Sequence, residues 1–207
     1  TESGSQVLVR ARALEPQAGQ VVHLEIGEPD FDTPSHITDS AVEALRGGAT
    51  HYGPSPGLPE LRQAIAEDSS RRRGAKATPE MVVVTPGGKP IMFFVILALV
   101  DEGDEVLYPN PGFPIYESMI RYIGGNPVPV RLLEEKGFEL DVDQLCSRVG
   151  PRTRLIILNY PHNPTGGTIP EAGLRAIANV AAKHGVPVLS DEIYARLLYD
   201  GQHHSIA

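Results

Sequence analysis

Residues 153–194 read TRLIILNYPHNPTGGTIPEAGLRAIANVAAKHGVPVLSDEIY, and their pattern decides the fold. Residues 153–158 are almost continuously apolar, which suits a strand covered on both faces. Residues 171–184 carry apolar side chains at helical spacing and stop at Gly185. A second apolar run, 186–190, follows at once. Buried strands separated by a helix point to parallel neighbours joined by a crossover. The same rhythm extends upstream: 81–85 reads as a short buried strand, 90–100 as an apolar helix and 105–108 as a strand. Helix 114–122, strand 127–132 and helix 141–149 complete it. The expected fold class is α/β, a three-layer α/β/α domain with a mostly parallel sheet. Ligands of such sheets bind outside the carboxyl ends of the strands.

Composition narrows the functions. The chain has 207 residues, 41% hydrophobic and 21% charged, enough for a real core and too apolar for disorder. A formal net charge of −8 argues against a nucleic-acid surface. Cys146 is the only cysteine, so an intrachain disulfide is impossible, and with no HExxH or ligand triad no metal is expected. The longest apolar run, 91–100, is far short of the roughly 20 residues of a membrane helix. No basic segment leads into an apolar one at the start. A reducing, cytoplasmic setting without a membrane partner is expected.

Towards the N-terminus the signals are weaker. Residues 1–19 are polar and read as an irregular arm, and 21–26 as a short strand closed by Gly27. Residues 37–45 have helical spacing, stopped by Gly47-Gly48. After a Pro/Gly loop at 51–59, a helix with Leu61, Ala64 and Ile65 on one face ends at Arg71-Arg72-Arg73-Gly74. Cations favour a helix C-terminus and Gly is its usual stop, so the arginines read as an ending rather than a polyanion site. Gly53-Pro54-Ser55-Pro56-Gly57 matches the GxSxG hydrolase string, but Pro56 lacks the N–H which that elbow needs after its serine.

The chemistry-bearing residues gather on the loops after the strands. Pro86-Gly87-Gly88-Lys89-Pro90 opens a helix. It fits a phosphate cup, with glycine backbone and free N–H groups, and equally an ordinary strand-to-helix turn. Phe113, on the loop 109–114, suits either a flat contact with a planar ligand or core packing. Asn159 and Asn163 offer directed hydrogen bonds from a proline-rich turn, and Asp191 ends an apolar strand where it needs donors or a cation. Tyr194 follows three residues later. Jointly these groups fit an aromatic, phosphorylated cofactor with a ring nitrogen.

Gly27-Glu28-Pro29-Asp30-Phe31, His51-Tyr52-Gly53, Asn163-Pro164-Thr165-Gly166 and Asp191-Glu192-Ile193-Tyr194 resemble the motifs of the class I/II aminotransferases, pyridoxal 5'-phosphate enzymes of the aspartate aminotransferase fold (fold type I). The resemblance runs from about residue 21 to residue 207. It implies an N-terminal arm and small-domain segment over 1–46 and an incomplete large cofactor-binding domain over 47–207. It further implies that Asp191 pairs with the pyridine nitrogen, that Asn163 and Tyr194 bond the ring hydroxyl oxygen, and that Phe113 stacks on the ring. Gly88 and Lys89 would hold the phosphate through backbone N–H groups. Tyr52 would reach the phosphate of a neighbouring subunit, which implies a homodimer. Gly27 and Asn163 would lie beside the substrate, an amino acid or 2-oxo acid.

Three features depart from that pattern. The family's Schiff-base lysine has no counterpart among Lys76, Lys89, Lys136 and Lys183, so no catalytic residue is assigned in this chain. The arginine that clamps the substrate α-carboxylate is also absent. An N-terminal half of a longer catalyst, inactive alone, is the expected status. Where aspartate-specific members carry Trp at the stacking position this chain has Phe113, which cannot donate to a distal carboxylate and lowers the expectation of strict aspartate specificity. A lyase reaction on the same scaffold and a non-catalytic cofactor-sensing module are the alternatives. Ammonia or thiol release would mark the first, a DNA-binding segment upstream the second.

Overall fold

The computed structural model describes residues 4–19 and 21–207. Their contacts divide the chain into two compact units, Thr1–Ser55 and Pro56–Ala207.

In the first unit, helix α1 spans Gly4–Ala18 and helix α2 spans Ser35–Arg46. Helix α1 corrects the expectation of an irregular arm over the described part of 1–19; residues 1–3 lie outside the described residues. Its Ala, Leu, Arg and Gln are strong helix formers, and this propensity acts without an apolar period to announce it. Gly19, at φ +76°, ends the helix, its N–H donating to the Glu15 carbonyl at 3.1 Å. The strand expected at 21–26 is also corrected: the segment is irregular, with Val22 and Leu24 exposed. Its β-favouring residues find no ladder partner among the described residues, and propensity alone does not make a strand.

In the second unit a five-stranded sheet carries the fold. The strands are β1 (Glu105–Asn110), β2 (Asn126–Leu133), β3 (Glu139–Leu140), β4 (Thr153–Asn159) and β5 (Val188–Asp191). Their order is β3-β2-β1-β4-β5, parallel except for the antiparallel β2–β3 pair. The helices are α3 (Pro59–Arg73), α4 (Lys89–Leu99), α5 (Ile115–Tyr122), α6 (Val142–Arg148) and α7 (Glu171–His184). Successive strand residues face opposite sides. On β4, Leu155 and Ile157 enter a core with Met92, Ile96 and Tyr116 of α4 and α5. Ile156 and Leu158 enter a second core with Leu145, Leu174 and Ile177 of α6 and α7. All four β4 side chains are fully buried, each worth about 1.5–3 kcal/mol against exposure. The three layers are the expected ones.

The strand expected at 81–85 is corrected as well. Pro79–Met81 is a single 3-10 turn, and the following residues run extended without a ladder, Met81 and Val83 lying exposed. Isolated bonds tie them to the rest of the unit, among them Val84 N–H to the Pro56 carbonyl at 2.9 Å and Arg62 Nε to the Val82 carbonyl at 2.9 Å.

The strand order positions the site. From β1 the chain winds outward through α5 to β2, then returns to the other side of β1 as β4 and continues to β5. Adjacent strands β1 and β4 therefore send their connections in opposite directions, and the crevice between their carboxyl ends is where such sheets bind ligands.

Candidate active site

At the end of β5 the half-buried Asp191 carboxylate accepts a hydrogen bond from the Tyr116 hydroxyl at 2.6 Å through Oδ2. Its Oδ1 accepts a longer bond from the Ile193 N–H at 3.3 Å. The Asp191 main-chain carbonyl accepts from Asn159 Nδ2 and from the Tyr160 N–H, both at 3.2 Å. Asn159 Oδ1 in turn accepts from the Asn163 N–H at 2.8 Å, which fixes the turn after β4 to the end of β5. On the other flank, Phe113 meets Tyr116 edge-on at 6.0 Å and 78°. The Lys89 amine lies 5.9 Å from the centre of the Phe113 ring.

These contacts form one unbroken chain, from Lys89 through Phe113, Tyr116, Asp191 and Asn159 to Asn163. Burial, and then the hydrogen bond to Asp191, push the Tyr116 hydroxyl well above the ordinary tyrosine value, with the nearby Tyr194 adding to the effect. Tyr116 is thus a permanent donor at physiological pH. The turn after β4 is braced by His162, which burial holds neutral by pushing its pKa down. Its Nδ1 lies 2.8 Å from Thr165 Oγ1, and its main chain bonds both Gly166 and Gly167.

The loop before α4 has the backbone for an anion. Gly87 sits at φ +92°, and no atom lies within 4 Å of where a Cβ on Gly87 or Gly88 would stand. Thr85 Oγ1 closes the turn by donating to the Gly87 carbonyl at 2.6 Å. The N–H groups of Gly88 and Lys89 head the helix, where the helical ladder supplies no acceptor.

Six of the residues singled out from sequence (Gly88, Lys89, Phe113, Asn163, Asp191 and Tyr194) thus belong to the second unit, along strand ends and the loop before α4. Gly27 and Tyr52 belong to the first unit and are exposed. Tyr116 is the side chain of this candidate site that sequence reasoning missed. A signal existed: a tyrosine on the core-facing side of an amphipathic helix needs a partner for its hydroxyl. A separate cleft of about 360 Å³ is lined by Arg72, Arg73, Arg175 and His203. Its arginines already pair with Asp68, Glu192 and Glu171, so their charge is committed within the fold.

The family description Aminotransferase class I and II matches residues 19–206. The chain is 45% identical over 201 residues to a probable aspartate/prephenate aminotransferase of Thermus aquaticus, covering 96% of this chain and 52% of that protein. It is 39% identical to the arginine–pyruvate transaminase of Pseudomonas aeruginosa, with 96% and 50% covered. The solved aspartate aminotransferase of Thermus thermophilus with maleate superposes with a TM-score of 0.95 at 42% identity, over 100% of this chain and 54% of that one. The chain spans about half the length of the curated relatives it matches. On the match across nearly its whole length, the chain belongs to the class I and II aminotransferases.

Proposed function

We propose that this chain frames the pyridoxal 5'-phosphate site of an aminotransferase that moves an amino group between an amino acid and a 2-oxo acid. The observation that carries the reading is the Asp191 carboxylate, braced by Tyr116 at 2.6 Å and joined by contacts to the loop before α4. The donor set fits the cofactor: a carboxylate for a ring N–H⁺, an amide and a phenol for the ring hydroxyl oxygen, a flat aromatic, and helix-heading N–H groups for a phosphate.

When bound, the cofactor supplies an electron sink for charge developing at the substrate Cα. Asp191 would hold the ring nitrogen protonated, and the Tyr116 hydroxyl aims that carboxylate. Asn163 and Tyr194 orient the ring from the side of its hydroxyl, and Phe113 covers one face. Gly88 and Lys89 seat the phosphate. Tyr52 reaches the phosphate of a partner subunit in a homodimer, and Gly27 lies beside the substrate carboxylate. The division is 1–46 for the arm and small-domain segment and 47–207 for the large domain. The covalent anchor lysine comes from outside this sequence. The relatives' names, which span aspartate and arginine, support the reaction class and leave the amino donor open.

The test is Asp191→Ala in the protein that carries this chain. The variant should keep its far-ultraviolet circular dichroism and lose 2-oxo acid exchange by about 10²–10³-fold, the loss typical of removing one preorganised electrostatic partner. Near-normal turnover would refute the assignment, and ammonia release in place of 2-oxo acid exchange would move the reaction to the lyase class.

A further inference from the structure

Asp191 and Glu192 are consecutive, and their side chains go opposite ways. Asp191 meets Tyr116, in the core of α4 and α5, whereas Glu192 meets Tyr160, in the core of α6 and α7. The Glu192 side chain is 5% exposed. Its Oε1 accepts from Ser205 Oγ at 2.7 Å, Ser190 Oγ at 2.9 Å and the Tyr160 hydroxyl at 3.3 Å. Its Oε2 accepts from Arg73 Nε at 3.1 Å and lies 3.2 Å from His203 Nε2. The His203 ring stacks on Tyr160 at 5.2 Å, and the Tyr160 hydroxyl also accepts the Ile206 N–H at 3.1 Å. Burial opposes the charge, but the bonds from Ser205, Ser190 and His203 with the Arg73 cation outweigh it, so the carboxyl titrates below its ordinary range.

A buried carboxylate with this many partners is anchored from four places in the chain: the end of α3, the end of β4, β5 itself and residues 203–205. Asp191 has no such anchorage. Apart from Tyr116, it relies on a 3.3 Å bond and on where its own main chain lies. We infer that Glu192 is a positioning residue: its anchored carboxylate pins the main chain at the end of β5 and thereby aims Asp191 at the ring nitrogen of the cofactor. This rests on the reading of Asp191 given above.

The experiment measures, in the full-length protein, the dissociation constants of pyridoxal 5'-phosphate and of the analogue in which C–H replaces the ring nitrogen. Wild type should prefer the natural cofactor, because only that one engages Asp191. Glu192→Gln removes the negative charge facing Arg73 and replaces one accepting oxygen with an NH₂ donor, so the full set of bonds to the carboxylate cannot be kept. It should weaken the natural cofactor about tenfold, roughly one buried charge-assisted hydrogen bond, and leave the analogue within about twofold. Arg73→Met removes one donor through a side chain that is 41% exposed. It should shift the same ratio the same way by less, and it carries the test should Glu192→Gln not fold. Equal weakening of both ligands, or no change in either, would overturn the positioning role while leaving the site reading intact. Failure of wild type to discriminate between the ligands would bring down the site reading and this inference together.

Discussion

Replacing Tyr116 by Phe isolates the bond on which the site turns. The Tyr116 side chain is 0% exposed, and its hydroxyl donates to an Asp191 oxygen at 2.6 Å. Removing that oxygen opens little space: the ring stays in place against Phe113 and the α4–α5 core, so the change conserves volume. What is lost is a donor to a partly buried carboxylate, worth about 1.5–3 kcal/mol. Asp191 is then left with the 3.3 Å bond from Ile193. We expect Tyr116→Phe to lower unfolding free energy by about 2 kcal/mol, roughly 4–8 °C in Tm for a domain of this size. Tyr108→Phe is the internal comparison. The Tyr108 hydroxyl also meets a carboxylate, Glu117, but at 3.1 Å and with that side chain 37% exposed, so its loss should cost about 1 kcal/mol or less. The sign of the pH dependence follows from the phenol. Its folded pKa is raised, so its contribution is fully present below the ordinary tyrosine value of 10.0 and fades only as pH climbs above that towards the folded value. Urea unfolding of both variants over a pH series reads all of this. A Tyr116→Phe loss under about 0.5 kcal/mol, within the range of ordinary surface substitutions, or one no larger than that of Tyr108→Phe, would refute the reasoning.

Two further outcomes follow from local geometry. Gly57 sits at φ +109°, and a Cβ there would stand 2.7 Å from Val84 Cγ2 and 2.8 Å from Val84 Cβ. Gly57→Ala should therefore cost about 1–3 kcal/mol in thermal unfolding. Gly150→Ala, with no atom within 4 Å of the new Cβ and an ordinary φ, should lie near zero, and equal losses for the two would defeat the argument. Asp141 caps α6, accepting the Gln144 N–H at 2.9 Å, and also pairs with Arg131 at 2.6 Å. The Gln144 bond, resisted by burial and reinforced by Arg131, lowers its carboxyl pKa. Asp141→Ala should cost about 1 kcal/mol at neutral pH, and the gap should stay full above the ordinary value of 3.8 and close as pH falls through the folded one. An acid-independent gap would remove the carboxylate from that role.

Where the sequence was legible, burial on both faces made it so. Residues 155–158 read as strand because both faces are buried and no polar residue interrupts them, and α7 carries both a period and a glycine stop at Gly185, which is at φ +65°. Where it was not, a partner or a propensity was the missing information. Residues 81–85 have the composition of a strand and run extended, but a ladder needs a second strand, and composition does not say whether one is there. Helix α1 had the reverse problem: good helix formers with no apolar stripe, which hydrophobic periodicity cannot detect. Tyr116 was hidden for a third reason. Its importance lies in a contact with a residue 75 positions away, which no local pattern encodes.

The same period of two that builds the cores also builds the site. It sends Leu155 and Ile157 one way and Ile156 and Leu158 the other, and at the next strand's end it sends Asp191 one way and Glu192 the other. The half-buried carboxylate that meets Tyr116 and the one bonded among Ser190, Tyr160, Ser205 and Arg73 are thus separated by a single step of the chain. The register that sets this is shared: Asn159 pairs with Asp191 across β4 and β5, and its side chain holds the Asp191 carbonyl and the Asn163 N–H together. A one-residue slip of β5 would exchange the two carboxylates and bury the wrong one, against the cost of an unpaired charge in an apolar core. The packing of the sheet and the direction of the Asp191 side chain are therefore enforced by one constraint, the register of β5 on β4.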